Sequence, residues 1–386
     1  EWPEDLPQTI RQRYRLATRT YAVRIAHFPP SWEELAVARR RLVFEELFYF
    51  SIGLALLRQR RTAEVGIRCA NGDLRGFYAL LPFQLTGAQR RAAEDTARDL
   101  TRGVPMNRLL QGDVGSGKTV VGAACVWLMA QNGYQSALMA PTEILAQQHA
   151  QTLQTLLAPS GIRVGLLTGS LRAAEKRKIY DAMATGAVDL VVGTHALLTD
   201  GVTFANLGLV ITDEQHRFGV NQRAALAQKG GAVRPHMLVM SATPIPRTLA
   251  LLLYGDLEVS IIDERPPGRQ NVDTFLVGEA LRQRMYGFGR KQVQEGHQVY
   301  MVCPAVEEGQ EDGQDLKAVT TYAQTLQTKI FPDLRVGLLH GKMKGKDKEA
   351  VMAAFAAGEI DILCATTVIE VGVDVPRATL MVRSEE

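Results

Sequence analysis

From about residue 105 onward, short apolar runs alternate with longer amphipathic stretches. The runs are "NRLLQ", "SALMAP", "RVGLLTG", "DLVVGT", "LGLVITDE", "HMLVMSAT" and "LEVSIID", and helical segments such as "KTVVGAACVWLMAQNG" lie between most of them. A run that is apolar at successive positions suits a strand buried on both faces, and the alternation predicts βαβ units around a parallel sheet. "DERPPGRQ" (Asp263 to Gln270) is a Pro/Gly-rich break and is read as a linker. The pattern then restarts with "DTFLVG", "QVYMVCP", "RVGLLHG", "DILCAT" and "ATLMV". No short-period repeat is visible, and "EEGQEDGQD" reads as an acidic loop.

The first 75 residues follow a different rhythm. Ser31, with Glu34 three places on, marks a helix start as a capping box. Leu35, Leu42, Phe44, Leu47, Phe48, Leu54 and Leu57 continue it as a broad apolar stripe. Arg39, Arg40 and Arg41 form a basic cluster, read first as a solvated helix face and second as a DNA-facing patch. The expected organisation is a helical segment over 1–75, a first α/β domain over 76–265 and a second, incomplete one over 266–386.

Composition adds little that discriminates. The chain has 386 residues, a net charge of +3 and 46% hydrophobic residues, as expected of a folded multidomain protein. That mild charge neither requires nor excludes a nucleic-acid partner. The four cysteines are scattered without a CxxC pair, which suits free thiols in a reducing compartment. No apolar run reaches membrane-span length, and the polar start "EWPEDLPQTI" is unlike a secretory signal, so a cytoplasmic location is expected. The abrupt ends suggest a fragment.

The chemistry concentrates in "GDVGSGKT" (Gly112 to Thr119), which satisfies G-x-x-x-x-G-K-[ST] between a predicted strand and a predicted helix. Gly112, Gly115 and Gly117 let the backbone curl until its N–H groups face a phosphate, and the following helix presents its positive end to the same anion. Lys118 supplies a cation for the outer phosphates, and the Thr119 hydroxyl is a ligand for Mg²⁺. Asp213 and Glu214 close the strand-like "LGLVIT". Adjacent carboxylates are tolerable there if Asp213 holds the metal and Glu214 orients and deprotonates the attacking water. Upstream, "LPFQLTGAQ" offers Phe83 to stack on a base and Gln89 to read an adenine edge. "SATPIPRT" ends another strand with Ser241 and Thr243, whose hydroxyls are placed to sense the acid segment.

Taken in order, "LTGAQ", "GDVGSGKT", "APTEILAQQH", "LLTGS", "VVGTHAL", "DEQHRFG", "SATPIPRT", "LLHGKM" and "ATTVIEVGVDVP" resemble the superfamily 2 helicases. "QGDVGSGKT", "DEQHRFGV" and "DERPPGR" resemble the RecG family within them. The resemblance implies two tandem RecA-like P-loop domains, ATP and Mg²⁺ as cofactors, and an ATP-dependent motor that remodels forked or branched DNA. It implies a monomer, with replication or single-strand-binding proteins as candidate partners. Gln215 and His216 would link the nucleotide to Ser241 and Thr243. Thr142, Gly169, Ser170, Thr194, Thr366 and Thr367 would contact DNA, although helix capping remains an alternative for each hydroxyl. Gly372 and Asp374 would face the nucleotide across the interdomain cleft. The family's Q-x-x-G-R-x-G-R motif does not occur, so no arginine finger is assigned, and Arg269 and Arg377 are given surface roles. Alternatives are a transcription-repair coupling type of double-stranded DNA translocase, an ATP-switched DNA-binding module, and a P-loop enzyme acting on a small acceptor.

Overall fold

The structure is a computed structural model. It describes residues 2–62, 65–199, 201–213, 225–226, 229, 233–242, 257–266, 272–303, 314–341, 343–366 and 375–383. Glu214, Gln215, His216, Thr243, Arg269, Thr367, Gly372 and Asp374 lie outside the described residues, as does most of the acidic stretch after Cys303.

The chain opens with α1 (Gln8–Tyr14), α2 (Arg19–His27) and α3 (Trp32–Thr62). Ser31 caps α3 by accepting from the Glu34 N–H at 3.1 Å, while the Glu34 carboxylate accepts from the Tyr21 hydroxyl on α2. Ala22, Ile25 and Ala38 form a small core between α2 and α3. Further along α3, Val43, Leu47, Ile52 and Leu56 are exposed. The basic cluster is not a single solvated face. Arg39 and Arg40 are exposed, but Arg41 is fully buried and ion-paired with Glu4 and Glu45. The N-terminal strand of chain folds back over it, which spacing along one helix does not reveal.

The first lobe contains α4 (Arg75–Leu80), α5 (Gly87–Thr101), β1 (Asn107–Gly112), α6 (Lys118–Gln131), β2 (Gln135–Met139) and α7 (Glu143–Leu157). It continues through β3 (Val164–Leu167), α8 (Ala173–Thr185), β4 (Leu190–Gly193), β5 (Leu207–Thr212), β6 (His236–Ser241) and β7 (Glu258–Ile262). Its strands pair in the order β3-β4-β2-β5-β6-β1-β7, all parallel. Side chains alternate between two cores: Leu138, Leu209 and Ile211 pack on the face covered by α5, α6 and α7, while Ala137, Met139 and Val210 pack on the α8 face. Ile67, Cys69 and Leu74 belong to the first of these cores, so the lobe's packing begins before the boundary expected at residue 75.

The second lobe contains α9 (Arg282–Gln294), β8 (Gln298–Cys303), α10 (Gln314–Thr325), β9 (Val336–Leu339), α11 (Gly345–Ala357), β10 (Ile362–Thr366) and β11 (Ala378–Arg383). Its parallel sheet runs β11-β8-β10-β9. "DTFLVG" is not a strand: it pairs with no sheet, and Phe275 and Leu276 are exposed. An apolar run without a neighbouring strand to satisfy its backbone does not enter the sheet. Cys69, Cys125 and Cys364 are buried free thiols, and Cys303 is half-buried. No helix among the described residues is long and apolar enough to cross a membrane.

The two lobes repeat one local device. Arg163 before β3 donates from its backbone N–H and Nε to Asp189 and from a terminal nitrogen to the Gly186 carbonyl. Arg335 before β9 does the same with Asp361 and Gly358, at the identical sequence separations of 26 and 23 residues. In both, the guanidinium hydrogen bond holds the carboxyl below its usual range. The fold is α/β, with two tandem RecA-like lobes after a helical segment.

Candidate functional site

β1 ends at Gly112, and the chain turns through Asp113–Gly117 into α6. Gly115 and Gly117 have φ of 73° and 89°, a region disfavoured for side chains with a Cβ. A Cβ on Gly112 would stand 2.5 Å from the Ser116 hydroxyl, so this glycine is required by close approach rather than by its dihedral. Lys118 Nζ donates to the Gly112 and Asp113 carbonyls at 2.8 and 3.0 Å, arching over the loop.

β6 lies between β1 and β5 in the sheet. That order sets Ser241 opposite Gln111 and brings Asp213, at the end of β5, to the same edge as the loop. The Asp213 backbone N–H donates to the Met139 carbonyl at 3.0 Å, which fixes its origin. Gly115, Gly117, Lys118, Thr119 and Asp213 line a single cavity of about 390 Å³, and Pro376 of the second lobe joins its wall. Thus the structure brings together the glycine loop and the acid predicted to face it.

Gln89 is placed differently from the sequence expectation. It is only 3% exposed; its Nε2 donates to the Ser116 carbonyl at 2.8 Å, and its Oε1 accepts from the Thr86 N–H at 2.9 Å. With the Thr86 hydroxyl accepting from the Gln89 N–H, this is a full capping box at the start of α5. The amide therefore braces the glycine loop. Phe83 is half-exposed and lines a second hollow of about 260 Å³ with Tyr78, Leu85 and Arg90, whose guanidinium lies over the Tyr78 ring.

The expected DNA-contact residues fall into two groups. Thr142 caps α7, accepting from the Leu145 N–H at 3.3 Å. Ser170 is exposed, and its N–H donates to Glu143 at 3.0 Å, while Lys176 donates to the Gly169 carbonyl. Thr194 and Thr366 instead are buried at the ends of β4 and β10, and neither hydroxyl has a hydrogen-bond partner among the described residues. As placed, Thr194, at 1% exposure, does not present its hydroxyl to a phosphate. Arg377 stacks against Gly358, a packing role.

One residue of the cavity was not anticipated. His149, on α7, bonds Asp213: its Nε2–H donates to Oδ2 at 2.7 Å, and both side chains are largely buried. Gln148, Gln151 and Thr152 line the same wall. The stretch "APTEILAQQH" carried the signal, since it places His149 in the second turn of the helix that follows β2.

Two α/β lobes, with a phosphate-type loop and a facing acid in the first, define the P-loop helicase class. The DEAD/DEAH box helicase family description matches residues 86–252, and the helicase conserved C-terminal domain matches residues 279–385. Within that class the chain resembles the RecG helicases. It is 50% identical over 98% of its length to the ATP-dependent DNA helicase RecG of Synechocystis sp., of which it covers 46%. It is 43% identical to RecG of Bacillus subtilis, covering 98% of this chain and 56% of that one. The structure of RecG bound to a three-way DNA junction superposes with a TM-score of 0.83 at 41% identity, covering 99% of this chain and 50% of that chain. The helicase MrfA bound to DNA shares the fold alone, with a TM-score of 0.57 at 17% identity, covering 83% of this chain and 48% of that one. The chain spans about half the length of the curated relatives it matches.

Proposed function

We propose that this chain is the motor of an ATP-dependent DNA helicase or translocase that remodels branched DNA, using ATP and Mg²⁺. The single observation that carries this reading is the shared cavity of Lys118, Thr119 and Asp213. The donor set fits the metal: a hydroxyl and a carboxylate are hard oxygen ligands, and Mg²⁺ is held by one or two such groups together with phosphate and water. Bound there, Mg²⁺ would neutralise charge on the triphosphate. Lys118 sits where it can exchange loop carbonyls for phosphate oxygens, and the N-terminus of α6 faces the same anion. Phe83 and its hollow are the proposed seat of the base, with Gln89 holding the loop beside it. Glu214 is assigned as the base that aligns water, and Gly372 and Asp374 as the groups closing the cleft.

DNA is assigned to the loops at the strand ends of both lobes, through Thr142, Gly169, Ser170 and Thr367, with Thr194 and Thr366 buried at the strand ends. Such contacts grip phosphates without reading sequence, which suits an enzyme of forks and junctions. Cleft closure on ATP and opening after hydrolysis would ratchet the two lobes along DNA. The same reading assigns a monomer acting in the cytoplasm beside replication or single-strand-binding proteins, and an organisation into helical segment, first lobe and second lobe. The test is ATP hydrolysis measured with forked, duplex and single-stranded DNA. A motor is stimulated by DNA, most by the fork; a rate indifferent to DNA refutes it. Lys118→Ala is expected to abolish nucleotide binding or turnover, and retained hydrolysis in that variant would overturn the phosphate assignment.

A further inference from the structure

Helix α7 touches three regions that the proposed function treats separately. Its first turn holds the Gly169–Ser170 loop: Glu143 accepts from both the Ser170 N–H and the Ser170 hydroxyl. Ile144 packs against the second lobe's core of Tyr300, Leu339, Met352 and Phe355. Seven residues beyond Thr142, or about 10 Å along the axis, His149 holds Asp213 at 2.7 Å. The face of α7 that carries Leu145, Ala146, Ala150, Leu153 and Leu157 is locked into the first lobe, with His149 between Leu145 and Leu153 at helical spacing. A helix fixed along one face transmits displacement of its first turn to its middle, because its backbone hydrogen bonds resist local stretching.

We propose that His149 is a positioning residue that ties Asp213 to α7. Through it, DNA at the Gly169–Ser170 loop and contact of the second lobe with Ile144 bias the orientation of the acid in the phosphate cavity. This rests on the ATP and DNA reading above. The Asp213 backbone is anchored to Met139, so its remaining freedom is side-chain rotation. The imidazole fixes one carboxylate oxygen and restricts where the other points. Partners of this kind set the orientation and basicity of metal-binding carboxylates. A movement of α7 carries Nε2 with it and reorients the carboxylate without any change in β5.

The experiment uses the 386-residue protein and a fluorescent ATP analogue, with binding titrated against Mg²⁺ in the presence and absence of forked DNA. In the unaltered protein DNA is expected to shift analogue affinity within the range of about 5–150-fold typical of coupled sites. His149→Leu keeps bulk but loses the donor; it should bring that shift to within about twofold of unity and raise the Mg²⁺ needed for half-saturation about tenfold. His149→Gln retains an N–H donor of similar reach and should restore most of both. Glu143→Gln, at the other end of α7, should weaken the DNA effect while leaving the Mg²⁺ requirement in place. A Leu variant with an intact DNA effect, or a Gln variant no better than Leu, overturns the proposal. Analogue binding without any DNA effect in the unaltered protein also overturns it. Absence of Mg²⁺-dependent analogue binding in that protein instead refutes the ATP reading beneath it.

Discussion

Gly117→Ala tests whether the glycine loop is braced from below as the structure shows. At a φ of 89°, any Cβ meets the ordinary left-handed penalty of about 1–2 kcal/mol. Here it also stands 2.2 Å from Gln89 Nε2 and 3.2 Å from Cδ, so the amide must swing away. That movement breaks the bonds to the Ser116 carbonyl and from the Thr86 N–H. Each is worth about 0.5–1.5 kcal/mol net, and an amide left buried without partners costs more. The expected loss is about 2–5 kcal/mol. Gly133→Ala isolates the backbone component, because Gly133 has a φ of 78° with nothing within 4 Å of its Cβ position. It should cost only about 1–2 kcal/mol. Urea unfolding of both variants reads the difference directly, and fluorescent-nucleotide binding reads its consequence: at least about tenfold weaker for Gly117→Ala, unchanged for Gly133→Ala, where a 1.4 kcal/mol change at the loop is one decade. Equal destabilisation, or equal nucleotide affinity, would refute the close packing of Gln89 under the loop.

Arg41→Ala should destabilise the helical segment by about 3 kcal/mol, because it leaves Glu45 buried and without its cation, whereas exposed Arg39→Ala should stay within about 0.5 kcal/mol. Hydrogen exchange of the α2 and α3 amides distinguishes the two. His236 is buried, with Nδ1 accepting from the Met106 N–H, and burial pushes its pKa down to about 4. Below about pH 6.5 the unfolded chain takes up a proton that the native state refuses, so stability should fall as pH drops from about 6.5 to about 4, by a total of about 3 kcal/mol. His236→Asn, which keeps an acceptor for Met106, should flatten that part of the pH–stability curve; an unchanged slope would assign it to other groups.

The parts legible in the sequence share a physical cause. Strands buried along nearly their whole length, such as β2, β4, β5 and β10, are written as continuous apolar runs, and the more exposed edge strands β7 and β11 follow from the alternation with helices. The glycine loop is equally local, since its conformation is dictated by residues within one turn. What escaped depends on distant partners. The burial of Arg41 requires Glu4, 37 residues away, and the His149–Asp213 bond spans 64 residues. "DTFLVG" has strand composition but no neighbour to pair with, a property of the sheet and not of the segment. Gln89 is the instructive exception. Thr86 and Gln89 have capping-box spacing, so a local signal for its bracing role was present; reading the amide only as a base contact passed over it.

On the proposed reading, the duplicated strand order explains how one nucleotide site could serve two lobes. β3-β4-β2-β5 in the first lobe and β9-β10-β8-β11 in the second are the same arrangement. The match extends to side chains: Gln135 Nε2 donates to the Met183 and Val188 carbonyls, as Gln298 does to those of Phe355 and Ile360. Thr194 and Thr366 close equivalent strands with equally unmade hydroxyls. The first lobe adds β1, β6 and β7 beyond β5, and these have no counterpart among the described residues of the second lobe. β1 is the strand that delivers the glycine loop, and β6 is the spacer that sets Ser241 between that loop and Asp213. The shared half of each sheet therefore supplies the strand-end loops assigned to DNA, twice, while the phosphate-binding half is built once. Pro376, in the wall of the phosphate cavity, is where the second lobe meets that single site. On the proposed reading, two grips and one clamp would let a change at the clamp alter the distance between the grips without releasing both together.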